Sequence, residues 1–133
     1  MMKIQAKELN AFCIAVLRKA GFSEEEALHT AHSLSFAELR GLGRYGYRNL
    51  KRFADGAKSG DIRCGVQIRA EAGAPGLLRI DGEGGAGPYV IRKSMDLCIR
   101  NAKENGCCFA AVRGLCAPGL GAYVNRYAKR ITV

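Results

Sequence analysis

The sequence predicts an α/β chain, helical over its first half and mixed over its second, on three observations. Up to Ile62 the apolar residues recur at three- and four-residue intervals, the period of helices buried on one side. From Val66 the period drops to two, which is that of a half-buried strand. A glycine-rich stretch, Gly82 to Gly87, then separates a strand-like run from a helical one, and a short apolar run follows.

Taken in order, Leu9, Phe12, Cys13, Val16, Leu17 and Ala20 form the apolar stripe of a first helix that Gly21 ends. Ser23 begins a second helix. Glu26 stands three residues later, the spacing of a reciprocal capping box, and Glu24 and Glu25 suit the positive end of the helix. Ala27, Ala31 and Leu34, bordered by Leu28 and Leu39, make a face of mostly small residues suited to close helix packing. A third helix is predicted from Tyr47 to Ala57, with Leu50, Phe53, Ala54 and Ala57 inward and Gly60 as its stop.

In the second half, Val66, Ile68 and Ala70 alternate with Gln67, Arg69 and Glu71. Ala74-Pro75-Gly76 is a turn, and Leu77 to Asp81 is the returning strand. Gly82 to Gly87 reads as a bend into a fourth helix beginning near Pro88, with Ile91, Met95, Cys98, Ile99 and Ala102 apolar and Gly106 as its C-cap. Cys107 to Val112 suits an interior strand, Gly114 to Gly121 a loop, and the region around Tyr123 and Tyr127 a last helix.

Composition narrows the classes. The 133 residues fit one domain or one piece of a larger protein. With 48% hydrophobic residues the chain has material for a core, which argues against disorder as a description of the whole. No run approaches the roughly 20 apolar residues of a membrane span, and Met1 to Asn10 lacks the features of a secretory signal. A cytoplasmic protein is the expectation. The six cysteines lack C-x-x-C spacing, and neither His29 nor His32 lies near one at zinc spacing, so core thiols are expected and no metal.

Two segments match G-x-G-x-x-G. Gly41 to Gly46 follows a helix, the wrong context for a dinucleotide fingerprint. Gly82 to Gly87 lies between a strand and a helix, but that strand reads as half of a hairpin rather than part of a parallel βαβ unit. A basic run, Arg40, Arg44, Arg48, Lys51 and Arg52, is interleaved with Tyr45 and Tyr47 and contributes to a net charge of +9. It is either a solvated helix face or a surface for an anionic partner. No nucleic-acid-binding motif accompanies it, so nucleic acid is not the expected partner. There is no G-x-S-x-G elbow, and Glu25 one turn before His29 is ordinary helix-surface chemistry.

The order of segments is more informative than any one of them. Ser23-Glu24-Glu25-Glu26-Ala27, then Ala37 to Leu42 with Gly46, Leu50, Phe53 and Gly60-Asp61-Ile62, then Asp81-Gly82 with Gly87, then Val112-Arg113 through Gly119 and Tyr123, resemble the malate/L-lactate dehydrogenase family. That is the family of ureidoglycolate and sulfolactate dehydrogenases. The resemblance implies a helical segment over residues 1–62. It also implies, over residues 63–133, the start of a mixed-sheet, non-Rossmann cofactor-binding domain. It further implies NAD or NADP as cofactor, a small 2-hydroxy or 2-oxo acid as substrate, and a homo-oligomer.

Residue by residue, the resemblance places Tyr45 where the family has a histidine suited to proton transfer. Tyrosine titrates at about 10 when unperturbed and is a poor base at neutral pH. A family arginine suited to a carboxylate falls on Asn49, beside Arg48, and a family serine falls on Arg44. A tyrosine falls on Phe53 and a histidine on Ala117. On this basis Tyr45 is the candidate catalytic residue, Arg44, Arg48 and Asn49 the substrate-binding ones, and Gly119, Leu120 and Gly121 the cofactor-binding ones. The expectation is a truncated dehydrogenase, weak or inactive. The alternative is a small basic binding module that reuses the scaffold.

Overall fold

The computed structural model describes residues 2–117. Helix α1 (Ala6–Ala20) and helix α2 (Glu24–Glu38) are joined through Gly21, whose amide bonds back to the end of α1. Cys13 and Leu17, one turn apart, are fully buried against α2, whereas Phe12 is 60% exposed. The apolar stripe is thus narrower than expected. One residue turns the helix by about 100°, so Phe12 faces away from the side that Cys13 buries.

Helix α2 is the centre of the helical layer, flanked by α1 on one side and α4 on another. Its small residues serve this position. Ala27, Thr30, Ala31, Ser33, Leu34 and Ala37 are all buried, so neighbouring backbones approach closely. Leu39, expected at the border of that face, is the C-cap of the helix and is exposed.

The predicted capping box is present, with Glu26 N donating to Ser23 Oγ at 3.3 Å and Ser23 N donating to Glu26 Oε2 at 2.8 Å. The carboxylate does more than cap. It also accepts from Gly65 N (3.0 Å) and Val66 N (3.1 Å), and Glu26 is 1% exposed. A buried carboxylate is tolerated here because backbone amides satisfy it.

After α2, two 3-10 turns (Gly43–Tyr45 and Tyr47–Asn49) lead into helix α3 (Leu50–Ser59). Phe53 and Ala54 are buried as expected, and Gly60 ends the helix in the left-handed conformation. Gly46 sits between the two turns beneath the Glu38 carboxylate, which accepts from Tyr47 N at 3.1 Å. A Cβ at Gly46 would lie 1.9 Å from Glu38 Oε2, so this contact needs glycine.

The sheet has the order β1-β2-β3. Strand β1 (Arg69–Ala74) begins later than Val66, because Val66 N is spent on Glu26 rather than on a ladder. The Pro75-Gly76 turn leads to β2 (Leu77–Ala86), antiparallel to β1, with Leu78 and Ile80 buried. The bend expected at Gly82 to Gly87 is instead a continuation of this strand through a bulge, and α4 (Gly87–Asn105) follows with no loop. A Cβ at Gly82 would meet Val90 Cγ1 at 2.6 Å and Gly114 O at 2.7 Å, and one at Gly85 would meet Val66 Cγ2 at 2.5 Å. These glycines let the strand lie close to its neighbours, so the match to a phosphate-binding fingerprint has a packing explanation.

Strand β3 (Phe109–Cys116) pairs parallel with β2, so β2-α4-β3 is a parallel crossover unit and not merely half of a hairpin. Among the described residues β3 is an edge strand rather than the interior one expected, and Phe109 is 75% exposed. On α4, Pro88, Tyr89, Val90 and Ser94 are buried, while Ile91, Met95, Cys98 and Ile99, the expected apolar face, are only partly covered. The helix is rotated toward α2 and the sheet.

The core gathers Cys13, Leu17, Phe22, Ala27, Ala31, Leu34, Phe53, Ile62 and Ala86. All six thiols are free, with Cys13 buried as expected, whereas Cys107, expected in the core, is exposed. No described helix is long and apolar enough to cross a membrane. The predicted last helix lies outside the described residues.

Candidate functional site

Several segments distant in sequence converge on one cleft of about 220 Å³. Helix α2 contributes Ser33 and Leu34, the first 3-10 turn Tyr45, the second Asn49, α3 Arg52 and Phe53, the start of α4 Pro88, and the segment after β3 Ala117. Tyr45, Asn49, Phe53 and Ala117, four of the five positions named above as departing from the resemblance (Arg44 is the fifth), therefore line a single wall system although they span more than half the chain. Ligand pockets for drug-sized molecules run to roughly 300–1,000 Å³, so this cleft suits something smaller.

Local structure explains how each side chain gets there. Asn49 Nδ2 donates to Arg44 O (2.8 Å) and Gly46 O (3.2 Å), tying the turn that carries Tyr45 to the start of α3. Tyr45 is 43% exposed at the mouth, and Phe53 at 3% forms the floor. Ala117 adopts φ 50°, a left-handed conformation costly for any side chain, which brings the end of β3 across to α3.

Among the described residues Arg52 is the one cation lining the cleft, and it also borders a wider groove of about 930 Å³. That groove is lined by Arg48, Lys51, Asp55, Asp61 and Cys116 among others, and shares Ala117 with the cleft. Arg48 faces this groove and not the cleft, and Arg44 lines neither. The structure thus brings Tyr45 and Asn49 together, sets Arg48 next door, and leaves Arg44 apart. Gly119, Leu120 and Gly121 lie outside the described residues.

In the sequence Arg52 stands out only as part of a basic run. The signal that would have singled it out was its spacing of three from Asn49, which puts both on one helix face. Ser33 and Pro88 carried no such signal.

The histidines are elsewhere. His29 stacks near Tyr89, with ring centroids 6.3 Å apart, and lies 3.9 Å from Glu25. Burial pushes its pKa below the usual histidine value, Arg92 lowers it further, and Glu25 opposes both. His32 lines a shallow groove between α1 and α2 with Asn10 and Arg40. Neither borders the cleft.

Known proteins share this fold. The chain is 36% identical over 122 residues to a malate dehydrogenase of Pyrococcus abyssi, covering 92% of this chain and 34% of that protein. It is 31% identical over 127 residues to a (2R)-3-sulfolactate dehydrogenase (NADP(+)) of Chromohalobacter salexigens, covering 95% of this chain and 38% of that one. Among solved structures, the sulfolactate dehydrogenase from Methanocaldococcus jannaschii superposes with a TM-score of 0.89 at 30% identity, over 96% of this chain and 37% of that one. The chain spans about a third of the length of the curated relatives it matches. The superposition extends over both the helical layer and the sheet, and a sequence model of one family matches residues 4–131. On fold and sequence together, this chain belongs to the malate/L-lactate dehydrogenase family.

Proposed function

We propose that the chain forms part of the site of a nicotinamide-dependent 2-hydroxy acid oxidoreductase in which proton transfer is impaired, so that turnover at neutral pH is slow or absent. The cleft takes the small 2-oxo or 2-hydroxy acid, and Tyr45 stands at the proton-transfer position. One observation carries the reading: Tyr45, Asn49, Phe53 and Ala117 line the same cleft. They are positions at which the resemblance expects the family's polar site residues, and together they line one space.

The groove beside the cleft has a residue suited to a dinucleotide, since Arg48 borders it and a guanidinium group holds phosphates. When bound, a nicotinamide supplies the hydride acceptor or donor. Gly119, Leu120 and Gly121 are the proposed cofactor-binding residues. The chain's own part is to seat the acid and to move its hydroxyl proton. A tyrosine does the second poorly, since general acid–base catalysis works best near the operating pH. Phe53 and Pro88 keep two sides of the cleft apolar.

The proposal extends to a homo-oligomer, favoured by the β3 edge, unpaired among the described residues and with Phe109 exposed, because such edges pair with one another. Cytoplasmic residence is likewise proposed, on the basis of the free cysteines.

The test is NADH and NADPH oxidation with a panel of 2-oxo acids at high protein concentration. The expected rate is below about 1 s⁻¹, the lower end of ordinary enzymes, and Tyr45→His should raise it at least tenfold at pH 7. Rapid turnover by the unaltered chain would overturn the impairment. A Tyr45→His variant no faster than its parent would remove Tyr45 from the proton path.

A further inference from the structure

We propose that Arg52 is the residue that holds the carboxylate of the acid in the cleft, so that the anion is seated one helical turn along α3 from Asn49. This rests on the reading of the cleft as an acid-binding site and adds the identity of its cation.

The neighbouring candidates are otherwise engaged or turned away. The two N–H groups of the Asn49 amide are matched by two backbone carbonyls, those of Arg44 and Gly46, leaving no donor for a ligand. Arg48 borders only the wider groove, and Arg44 borders neither space. Lys51 is paired with Asp55 one turn along the same helix. Arg52 lines the cleft and has no ion pair among the described residues, so its guanidinium is available.

The chemistry matches the position. A guanidinium presents parallel N–H donors that fit both oxygens of a carboxylate, and a lysine at the same place offers only a point charge. Tyr45 and Ser33 supply hydroxyls across the cleft for the 2-oxo or 2-hydroxy oxygen, and Leu34, Phe53 and Pro88 give it apolar walls. A ligand held at Arg52 is also at the junction of the cleft with the groove, because Arg52 borders both. The carboxylate end of the acid is thereby fixed next to the larger space.

The experiment is an NMR titration of the whole chain with pyruvate, the simplest 2-oxo acid, and with methyl pyruvate as the uncharged control. Arg52→Gln is expected to weaken pyruvate at least tenfold and Arg48→Gln less than twofold. Arg52→Lys should fall between Arg52→Gln and the parent, because it keeps the charge and loses the fork. Methyl pyruvate should bind more weakly than pyruvate and be indifferent to all three. The Arg52 side chain makes no hydrogen bond within the described residues, and unchanged spectra away from the cleft will confirm that the variants fold. Should Arg52→Gln misfold, a full-strength response from Arg52→Lys would by itself overturn the bidentate seating. If pyruvate shifts the cleft resonances of the parent and Arg52→Gln binds it within twofold, Arg52 is not the cation, although the cleft still binds acids. If pyruvate moves no cleft resonance in the parent, both the cleft reading and the assignment of Arg52 fail.

Discussion

Replacing Glu26 by alanine should cost this protein far more than replacing the serine that Glu26 caps. The carboxylate accepts from Ser23 N within its own helix start, and from Gly65 N and Val66 N thirty-nine and forty residues away. A hydrogen bond to a charged group contributes about 1.5–3 kcal/mol net. Gly65 is exposed and Val66 half-buried, so their freed amides reach water and the lower value applies. The two distant bonds then come to about 3 kcal/mol, and the lost capping bond adds about 1 kcal/mol.

For a chain of this size that is a fall in Tm of roughly 10–15 °C. Ser23→Ala removes only the cap, about 1 kcal/mol, and Glu26→Gln, which retains one acceptor oxygen, should lie between. Urea and thermal unfolding followed by far-ultraviolet circular dichroism measure all three. Were Glu26→Ala within 1 kcal/mol of Ser23→Ala, the tie from α2 to the segment before β1 would contribute nothing, and the reasoning would be wrong.

Three further outcomes follow from the structure. Gly82→Ala should destabilise by about 2–3 kcal/mol because its Cβ would press on the Gly114 carbonyl, while Gly43→Ala, which meets nothing closer than 3.6 Å, should cost under about 1 kcal/mol; equal costs by urea denaturation would refute the packing account of Gly82. His29 has a folded pKa below its unfolded value, so its contribution is present above the unfolded pKa and lost as pH falls through the folded one. Stability should therefore drop as pH falls below about 6.5, and His29→Gln should flatten that part of the profile. Burial pushes the Cys13 and Cys98 thiols up to about 11. At pH 8 an alkylating reagent should thus label exposed Cys107 well before either, as peptide mass mapping would show, since the thiolate is the reactive form.

Much of this molecule was legible from local rules. The Ser23/Glu26 box, the Gly21 and Gly60 stops, Pro88 in the first turn of α4 and the Pro75-Gly76 turn all depend on neighbours in sequence, and each is present. The errors have a common origin. Phe12, the Gly82 to Gly87 stretch and the Cys107 to Val112 run were assigned from residue type, whereas their environments depend on which element packs alongside. The α4 face failed for the same reason, because periodicity gives a stripe but not the direction in which the neighbouring helix and sheet lie.

The sequence by itself determined the helix ends, the turn, the family resemblance and the residues that depart from it. Tertiary structure alone decided that Tyr45, Asn49, Phe53 and Ala117 share a cleft, that Arg52 and not Arg48 faces it, and that the capping carboxylate of Glu26 reaches Gly65 and Val66. The physical reason is range. Caps and turns are settled by bonds among residues a few positions apart, whereas a cleft is settled by the close packing of helices and strands that the chain brings together only on folding.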